Sequence, residues 1–256
     1  MKLGICYMVF DGEEFLEFAT KSIRKNIDFI SVTFQTTSYF GNKTDSQTED
    51  LLEKLKKENL IDEYIHFQPD LTLSPKQNEL NLRNIGLNLS RVAGCTHHIS
   101  ADVDEFYDSS QLEFAKEEME KENYDFSMIP IDTYYKNPCF LVVPDQKLSV
   151  TFIHPVRNEY SIEKEFPFSI EITRRFKFKE KYRVFSRDEI IMHHMSYVRK
   201  DIWKKFANSD NGKFYNLKKF ASIYNKYEVG ERLYLIPDYL NRRTKLVENK
   251  FNIEIK

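Results

Sequence analysis

Short apolar runs and amphipathic segments alternate along the first half of the chain. The run LGICYMVF at residues 3–10 has no helical period, which is typical of a buried strand in a parallel sheet. Residues 11–26 then place apolar side chains at helical spacing on one face. Further strands are predicted in residues 28–37 and 62–68, with a helix in residues 46–60 between them. The pattern therefore predicts regular alternation of strand and helix.

The longest amphipathic segment carries clear terminal signals. Ser74 precedes Pro75, an order typical of a helix N-cap and first turn, and Gly94 follows the last apolar position. Residues 95–103 are predicted to form a fourth strand, and residues 110–135 a helix followed by a strand. This order indicates an α/β fold with a mixed, mainly parallel sheet flanked by helices. Ligands of such folds bind beyond the carboxyl ends of the strands.

The pattern changes in the second half of the chain. Strands are predicted in residues 147–157, 168–178 and 189–199, without long helices between them. The last fifty residues are rich in tyrosine and lysine and are predicted to be partly helical. We predict a main domain over residues 1–200 and a basic, aromatic-rich C-terminal extension over residues 201–256, packed on the same domain.

Composition narrows the class of protein. The 256 residues include 41% hydrophobic and 30% charged residues and only 7 glycines, which indicates an ordinary globular protein. No apolar run is long enough to span a membrane, and acidic residues interrupt the start before a signal peptide could form. The 3 cysteines are widely spaced and indicate neither a disulfide framework nor a zinc site. We therefore expect a cytoplasmic protein.

The net charge of −2 conceals a strong asymmetry. From Arg174 to the C-terminus there are 21 Lys and Arg against 10 Asp and Glu, a net charge of +11. The first 173 residues carry 17 Lys and Arg against 30 Asp and Glu, a net charge of −13. Such a basic region predicts either an anionic partner or a solvated, lysine-rich surface.

An acidic turn follows the predicted fourth strand. Asp102, Asp104 and Glu105 stand within four positions, in the segment ADVDEF. If the strand ends in a turn there, Asp102 and Asp104 can both address one point beyond the sheet, where they would suit Mg²⁺ or Mn²⁺. The alternative is an exposed turn that caps the next helix from Ser109 or Ser110.

The segment around this turn resembles the nucleotide-sugar glycosyltransferases of the GT-A fold, most of all their family 2. In that family an Asp-x-Asp motif follows a helix with an Arg-Asn-x-Gly-like segment, here residues 83–86. The opening of the chain, an apolar strand followed by a short polar turn and an acidic helix start, is also similar. The resemblance covers about residues 1–200. It departs from the family at residues 34–42, where FQTTSYFGN replaces an Asp-rich strand end.

The resemblance implies a metal-dependent glycosyltransferase, which moves a sugar from a nucleotide diphosphate-sugar, such as a UDP-sugar, to an acceptor hydroxyl. It implies that Mn²⁺ or Mg²⁺ is bound by Asp104, and that Asp102 contacts the ribose or a metal-bound water. The family often takes a third ligand from a late strand, here His194 or His193. Because neighbours on a strand face opposite sides, only one of the two can serve, and we slightly favour His194.

Other side chains are implied to hold the rest of the donor. Arg83, Lys76 and Arg199 are candidates for the diphosphate, since guanidinium and ammonium groups pair with phosphate. The loops after the first two strands are expected to frame the nucleoside with the side chains of Asp11, Glu14, Gln35 and Tyr39.

An inverting reaction needs a carboxylate base within hydrogen-bond reach of the acceptor hydroxyl. Asp132, at the end of the predicted strand SMIPID, is the first candidate. Glu159 and Glu171 are alternatives, and a retaining reaction would not need a base in the same place.

Two other function classes compete with this interpretation. Phosphatases that form an aspartyl-phosphate also use paired aspartates, although near the first strand. A nucleic-acid-binding module would use the basic, aromatic C-terminal third without catalysis. The acceptor of a glycosyltransferase stays open in the same way: it is either a bacterial surface glycan or a hydroxylated base of bacteriophage DNA, whose phosphate backbone would suit the +11 region.

Overall fold

The computed structural model describes residues 1–44, 48–143, 149–163, 165–178, 181–209, 217–233 and 241–255. The helices in this part of the chain are α1 (Leu16–Ile23), α2 (Thr48–Lys57), α3 (Pro75–Val92), α4 (Ser109–Glu122), α5 (Ile202–Ala207) and α6 (Leu217–Lys226). The strands are β1 (Leu3–Val9), β2 (Phe29–Phe34), β3 (Glu63–His66), β4 (His97–Asp102), β5 (Glu105–Tyr107), β6 (Phe126–Tyr135), β7 (Phe140–Val143), β8 (Ser149–Thr151), β9 (His154–Pro155), β10 (Tyr182–Val184), β11 (Met192–Tyr197) and β12 (Arg243–Leu246).

The first sheet has the strand order β3-β2-β1-β4-β9. Its strands β1 to β4 are parallel, and only β9 runs antiparallel to its neighbour. This arrangement confirms the alternation of strands and helices predicted for the first half of the chain. The predicted start of the helix in residues 46–60 lies outside the described residues, and α2 is described from Thr48 onward.

Helix α3 begins and packs as its sequence requires. The Ser74 hydroxyl accepts a hydrogen bond from the Gln77 amide at 3.2 Å, and Pro75 is the first helical residue. Gly86 lies against β1, where an added Cβ would come within 2.5 Å of Cys6 Sγ. This close approach of helix and sheet positions Arg83, one turn earlier, beneath the carboxyl end of β4.

The second sheet has the order β12-β7-β6-β11-β5. Strand β11 lies parallel to β6 and antiparallel to β5, with His194 opposite Glu105. Because β5 begins directly after the acidic turn, this register brings a strand from late in the sequence next to the end of β4. The two sheets therefore meet at the turn, and the structure is a mixed α/β fold flanked by helices.

The strand predicted for residues 168–178 is wrong. The segment instead contains a 3₁₀ turn at Ile172–Arg174, and its aromatic side chains pack against Phe126. The physical reason is that β6 offers no edge here, since its residues Phe126–Met128 pair with β10 and Met128–Pro130 with β8. Burial of aromatic rings, rather than strand pairing, explains the apolar alternation of the segment.

The described part of residues 201–255 packs on the same body. Residues Ile202 and Phe206 of α5 and Phe220 and Tyr224 of α6 are buried with Tyr135 of β6. Strand β12 pairs with β7. Within the described residues, no helix combines the length and the apolar character that crossing a membrane requires.

Candidate active site

A cleft of about 750 Å³ opens at the carboxyl ends of β1, β2 and β4. Such sheet ends are the usual ligand site of α/β folds. Nine of the residues predicted from the sequence line it: Asp11, Gln35, Tyr39, Lys76, Asp102, Asp104, Glu171, His194 and Arg199.

The acidic turn is fixed from both sides. The Val103 amide donates a hydrogen bond to the Met8 carbonyl at 3.2 Å, and the Asp104 carbonyl accepts one from the Met195 amide at 2.8 Å. These bonds hold the turn between β1 and β11. They leave the Asp102 side chain 35% exposed and the Asp104 side chain only 3% exposed.

Asp102 faces two buried arginines. Its Oδ1 lies 3.3 Å from Arg83 Nη2, and its Oδ2 lies 3.4 Å from Arg174 Nη2. Both carboxylates line the cleft, but among the described residues they share no hydrogen-bond or ion-pair partner. The reason is that Asp102 is the last residue of β4 and lies above Arg83 of α3, whereas Asp104 lies beyond the turn, next to β11.

The two arginines belong to a dense ion-pair network under the cleft. Arg83 has no exposed side-chain surface and also bonds Glu79 at 2.8 Å and Glu171 at 3.1 Å. Arg174 forms a double hydrogen bond with the buried Glu105. Because its donors are directed to these carboxylates, Arg83 lies below the cleft rather than on its wall. Its position suits holding the acidic residues in place.

Asp104 has a different set of partners. Its Oδ2 accepts hydrogen bonds from Arg199 and from Lys205 Nζ, the latter at 3.3 Å. Its Oδ1 lies 3.6 Å from His194 Nε2. Burial acts to raise the pKa of Asp104, but Lys205, Arg199 and His194 outweigh it, and the pKa lies well below its usual range. Asp104 is therefore ionised at neutral pH.

The two adjacent histidines of β11 face opposite sides, as the strand geometry requires. His193 points away from the cleft, where its Nδ1 lies 2.8 Å from the Tyr134 hydroxyl and its ring contacts Phe251. His194 faces Asp104, and burial lowers its pKa, so its imidazole is neutral with a lone pair to offer. Of the two candidates, the structure brings only His194 to the cleft.

This donor set suits part of a divalent cation site. Asp104 Oδ1 and His194 Nε2 are 3.6 Å apart. This separation allows both atoms to lie about 2.1 Å from one ion between them. A carboxylate and a neutral imidazole suit Mn²⁺, which takes its remaining ligands from water and phosphates. No group of three or more His, Cys, Asp or Glu side chains in the described residues could hold a metal ion by itself. Of the three expected ligands, the structure brings Asp104 and His194 together, and metal binding by them stays a prediction.

The nucleoside side of the cleft is formed by the loops after β1 and β2. Gln35 is buried, and its Oε1 has no hydrogen-bond partner among the described residues. Tyr39 is next to it, and burial raises the pKa of its hydroxyl, which therefore stays protonated. Asp11 pairs with Lys204 at 2.8 Å, and Glu14 lies behind the cleft wall, 3.8 Å from Arg199.

Asp132 does not face the cleft. It lies on β6 next to Ile131, which does line the cleft, and the alternation of the strand turns Asp132 to the other side. There its carboxylate pairs with Arg187. Of the three carboxylates considered as a base, Glu171 lines the cleft, whereas Glu159 is 74% exposed next to Arg91.

The fold is similar to that of solved glycosyltransferases. A crystal structure of S. aureus TarS 1–349 in complex with UDP-GlcNAc superposes with a TM-score of 0.51 at 11% sequence identity, covering 88% of this chain and 66% of that one. The chain has the GT-A fold. It spans just under two thirds of this TarS fragment. No family model and no curated protein matches the sequence.

Two further structures are less similar to this GT-A chain. Another crystal structure of TarS 1–349 gives a TM-score of 0.49 at 12% identity, over 82% of this chain and 66% of that one. A crystal structure of GalNAc-T7 with UDP, GalNAc and Mn²⁺ gives a TM-score of 0.41 at 14% identity, over 74% of this chain and 31% of that one.

Four charged residues of the GT-A cleft were given no role by sequence reasoning: Glu79, Glu105, Arg174 and Lys205. Lys205 follows Arg199 by six positions in the basic, aromatic segment that begins at Asp201, and this proximity was the available signal. Arg174 had no local signal, because its importance comes from Glu105, which lies 69 residues away in the sequence.

Proposed function

We propose that the chain is a glycosyltransferase, which moves a sugar from a nucleotide diphosphate-sugar to an acceptor hydroxyl, with a UDP-sugar as donor. The observation that carries the proposal is the grouping of Asp104 and His194 with Arg199 and Lys205 at the carboxyl ends of the parallel strands. This arrangement offers cation ligands and phosphate-binding groups side by side. The UDP-GlcNAc held by TarS in the same fold supports the donor class.

The reaction breaks the bond between the anomeric carbon and the diphosphate, so negative charge grows on the leaving group. Arg199 and Lys205 line the cleft where they can neutralise that charge, and Lys76 lies across from them. Mn²⁺ or Mg²⁺ held by Asp104 and His194 would supply Lewis-acid stabilisation of the same charge. Asp102 is exposed enough to accept a hydrogen bond from the ribose.

Tyr39 and Gln35 are proposed to bind the nucleobase. The unpartnered Gln35 Oε1 is a buried acceptor, and leaving such a group without a donor costs about 1–3 kcal/mol. The imide N–H of uracil is a suitable donor. Asp11 and Glu14 are proposed to shape the same end of the cleft, Asp11 through Lys204 and Glu14 through Arg199.

The acceptor is proposed to be either a bacterial surface glycan or a hydroxylated base of bacteriophage DNA. The reaction would take place in the cytoplasm of a bacterium or of an infected host. Binding to duplex DNA that weakens steeply as salt increases would identify the DNA acceptor, because each phosphate contact releases counterions. DNA binding that does not change with salt, or no DNA binding at all, would leave the glycan as the proposed acceptor.

Neither competing class is favoured by the geometry. An aspartyl-phosphate phosphatase needs an accessible, unpaired nucleophile, whereas Asp102 is paired with Arg83 and Arg174 and the Asp104 side chain is 3% exposed and paired with two cations. A binding module without catalysis needs its basic residues on the surface, whereas several of them pair with acids of the first 173 residues.

Calorimetry with a panel of nucleotide sugars, with and without Mn²⁺, tests the proposal. We expect one UDP-sugar to bind in the micromolar range and to bind more tightly with Mn²⁺ present. A matched titration with the same free sugar should show no binding, since most contacts are proposed to lie on the nucleotide. A full panel without binding in either condition would overturn the proposed function.

A further inference from the structure

One segment late in the sequence forms part of the cleft wall. Residues 199–209, here called the strap, include α5 and run from Arg199 to Ser209. Its residues Arg199, Lys205, Phe206, Asn208 and Ser209 line the cleft. The strap is tied across to the loop after β2, because Asn42 Nδ2 donates a hydrogen bond to Asn208 Oδ1 at 3.1 Å.

Two neighbouring lysines of the strap point to different partners. Lys204 pairs with Asp11 at 2.8 Å and with the Thr44 hydroxyl at 3.3 Å, and it does not line the cleft. Lys205 lines the cleft and pairs with Asp104 Oδ2 at 3.3 Å. Their side chains are similarly exposed, at 34% and 29%, so exposure does not explain the difference between their partners.

The strap also carries a buried cation with donors to spare. Arg199 is 7% exposed, and its Nε and Nη1 have no hydrogen-bond partner among the described residues. Its guanidinium lies 4.8 Å from the centre of the Phe15 ring, and Gly12 leaves the space that Nη1 occupies. Glu14 is 3.8 Å from Nη1, which is too far for a hydrogen bond. A buried guanidinium with unused donors is suited to an anionic ligand.

We propose that Lys205 is an exchangeable counter-charge, an inference that rests on the proposed function. Without ligand, its ammonium neutralises Asp104. When the donor binds, the ammonium moves from Asp104 to the diphosphate next to Arg199, and the Asp104 carboxylate becomes available to the cation. A lysine suits this exchange because its charge sits on a flexible four-carbon stem and has no fixed bidentate geometry.

The exchange predicts opposite effects of one substitution on two ligands. In Lys205→Ala, Mn²⁺ alone no longer competes with an ammonium at Asp104 and should bind about tenfold more tightly. UDP loses a charged hydrogen-bond donor and should bind about tenfold more weakly. Uridine, which has no phosphate, should bind as it does to the wild type.

The experiment uses the full chain as wild type, Lys205→Ala and the control Lys200→Ala. Mn²⁺ binding is followed by the loss of the free-ion signal in electron paramagnetic resonance, and UDP and uridine binding by calorimetry. Thermal unfolding of each variant checks that the fold persists. Lys200→Ala, which removes an exposed lysine of the strap that does not line the cleft, should leave the affinity for Mn²⁺ and UDP within about twofold of the wild type.

The outcomes separate the two proposals. Unchanged or weaker Mn²⁺ binding in Lys205→Ala would overturn the proposed role of Lys205 as a counter-charge. Equal losses of UDP affinity in both lysine variants would overturn it as well. A loss of uridine affinity equal to that of UDP would assign Lys205 to strap packing instead and overturn its diphosphate role. A wild type that binds neither UDP nor any other nucleoside diphosphate would overturn the proposed function, while the Mn²⁺ titration would still decide whether Lys205 screens Asp104.

Discussion

Asp102 and Asp104 stand two positions apart, yet they belong to two different regions of the cleft. The Asp102 region rests on Arg83 and Arg174, whose donors are directed to several carboxylates and to Ser100. Asp104 instead contacts the neutral His194, the flexible side chain of Lys205, and Arg199, which has two donors without a partner among the described residues. A closed network, in which the donors are paired within the protein, stabilises the fold. An open network, in which donors are still unpaired, can exchange partners when a ligand binds. We therefore expect the first region to contribute mainly to stability and the second mainly to ligand binding.

The largest expected effect comes from breaking the closed network. Arg174→Leu leaves Glu105 buried without its partner, which should lower the free energy of unfolding by about 3–5 kcal/mol. Urea unfolding followed by circular dichroism measures the change.

A surface pair provides the control for that experiment. Lys21→Ala removes a partner of Glu17 in a pair whose lysine is 55% exposed, and it should cost no more than about 1 kcal/mol. If the two variants lost similar stability, the Asp102 region would not be the structural one.

The second effect concerns the open region. Asp104→Asn keeps the shape of the side chain but removes its charge, so the variant should lose about 100-fold in kcat. Initial rates of sugar transfer with the donor identified by calorimetry measure the loss. Asp102→Asn is the matched variant, and the comparison would be reversed if it lost more activity than Asp104→Asn.

The smallest effect concerns the pH dependence of stability at the end of β4 opposite the cleft. There the buried His154 lies next to His98 and bonds the Tyr160 hydroxyl, and burial lowers the pKa of His154 from 6.5 to about 3. Since the unfolded chain takes up the proton first, the stabilisation is complete above about pH 6.5 and is lost as the pH falls toward 3. At pH 4.5 the loss should be about 2–3 kcal/mol.

His154→Phe isolates this contribution from that of the carboxylates. Between pH 7 and 4.5, the wild type should lose about 2–3 kcal/mol more stability in urea titrations than this variant. Parallel pH profiles of wild type and His154→Phe would show that His154 does not couple to unfolding.

The charge asymmetry of the sequence has a different meaning in the structure. Several basic residues of the C-terminal third pair with acids of the first 173 residues: Arg174 with Glu105, Arg187 with Asp132, Arg199 with Asp104, Lys204 with Asp11, and Lys250 with Asp108. Much of the charge that predicted an anionic partner is thus complementary within the chain. This reduces the weight of the +11 region as an argument for DNA.

Elements with local signals could be predicted without the structure. The apolar run of β1, the Ser74-Pro75 start of α3 and the turn at the end of β4 follow from periodicity, capping and charge over a few neighbouring residues. These signals were sufficient for the α/β order and for the place of the cleft, because parallel strands end on the same side.

The pairing of charges in the cleft depends on contacts between residues that lie far apart in the sequence. Arg174 reaches Glu105 across 69 positions of sequence, and Arg199 reaches Asp104 across 95. Periodicity cannot predict such contacts, because they depend on the register of β11 beside β5 and on the course of the strap. The same register separated His193 from His194 and turned Asp132 away from the cleft.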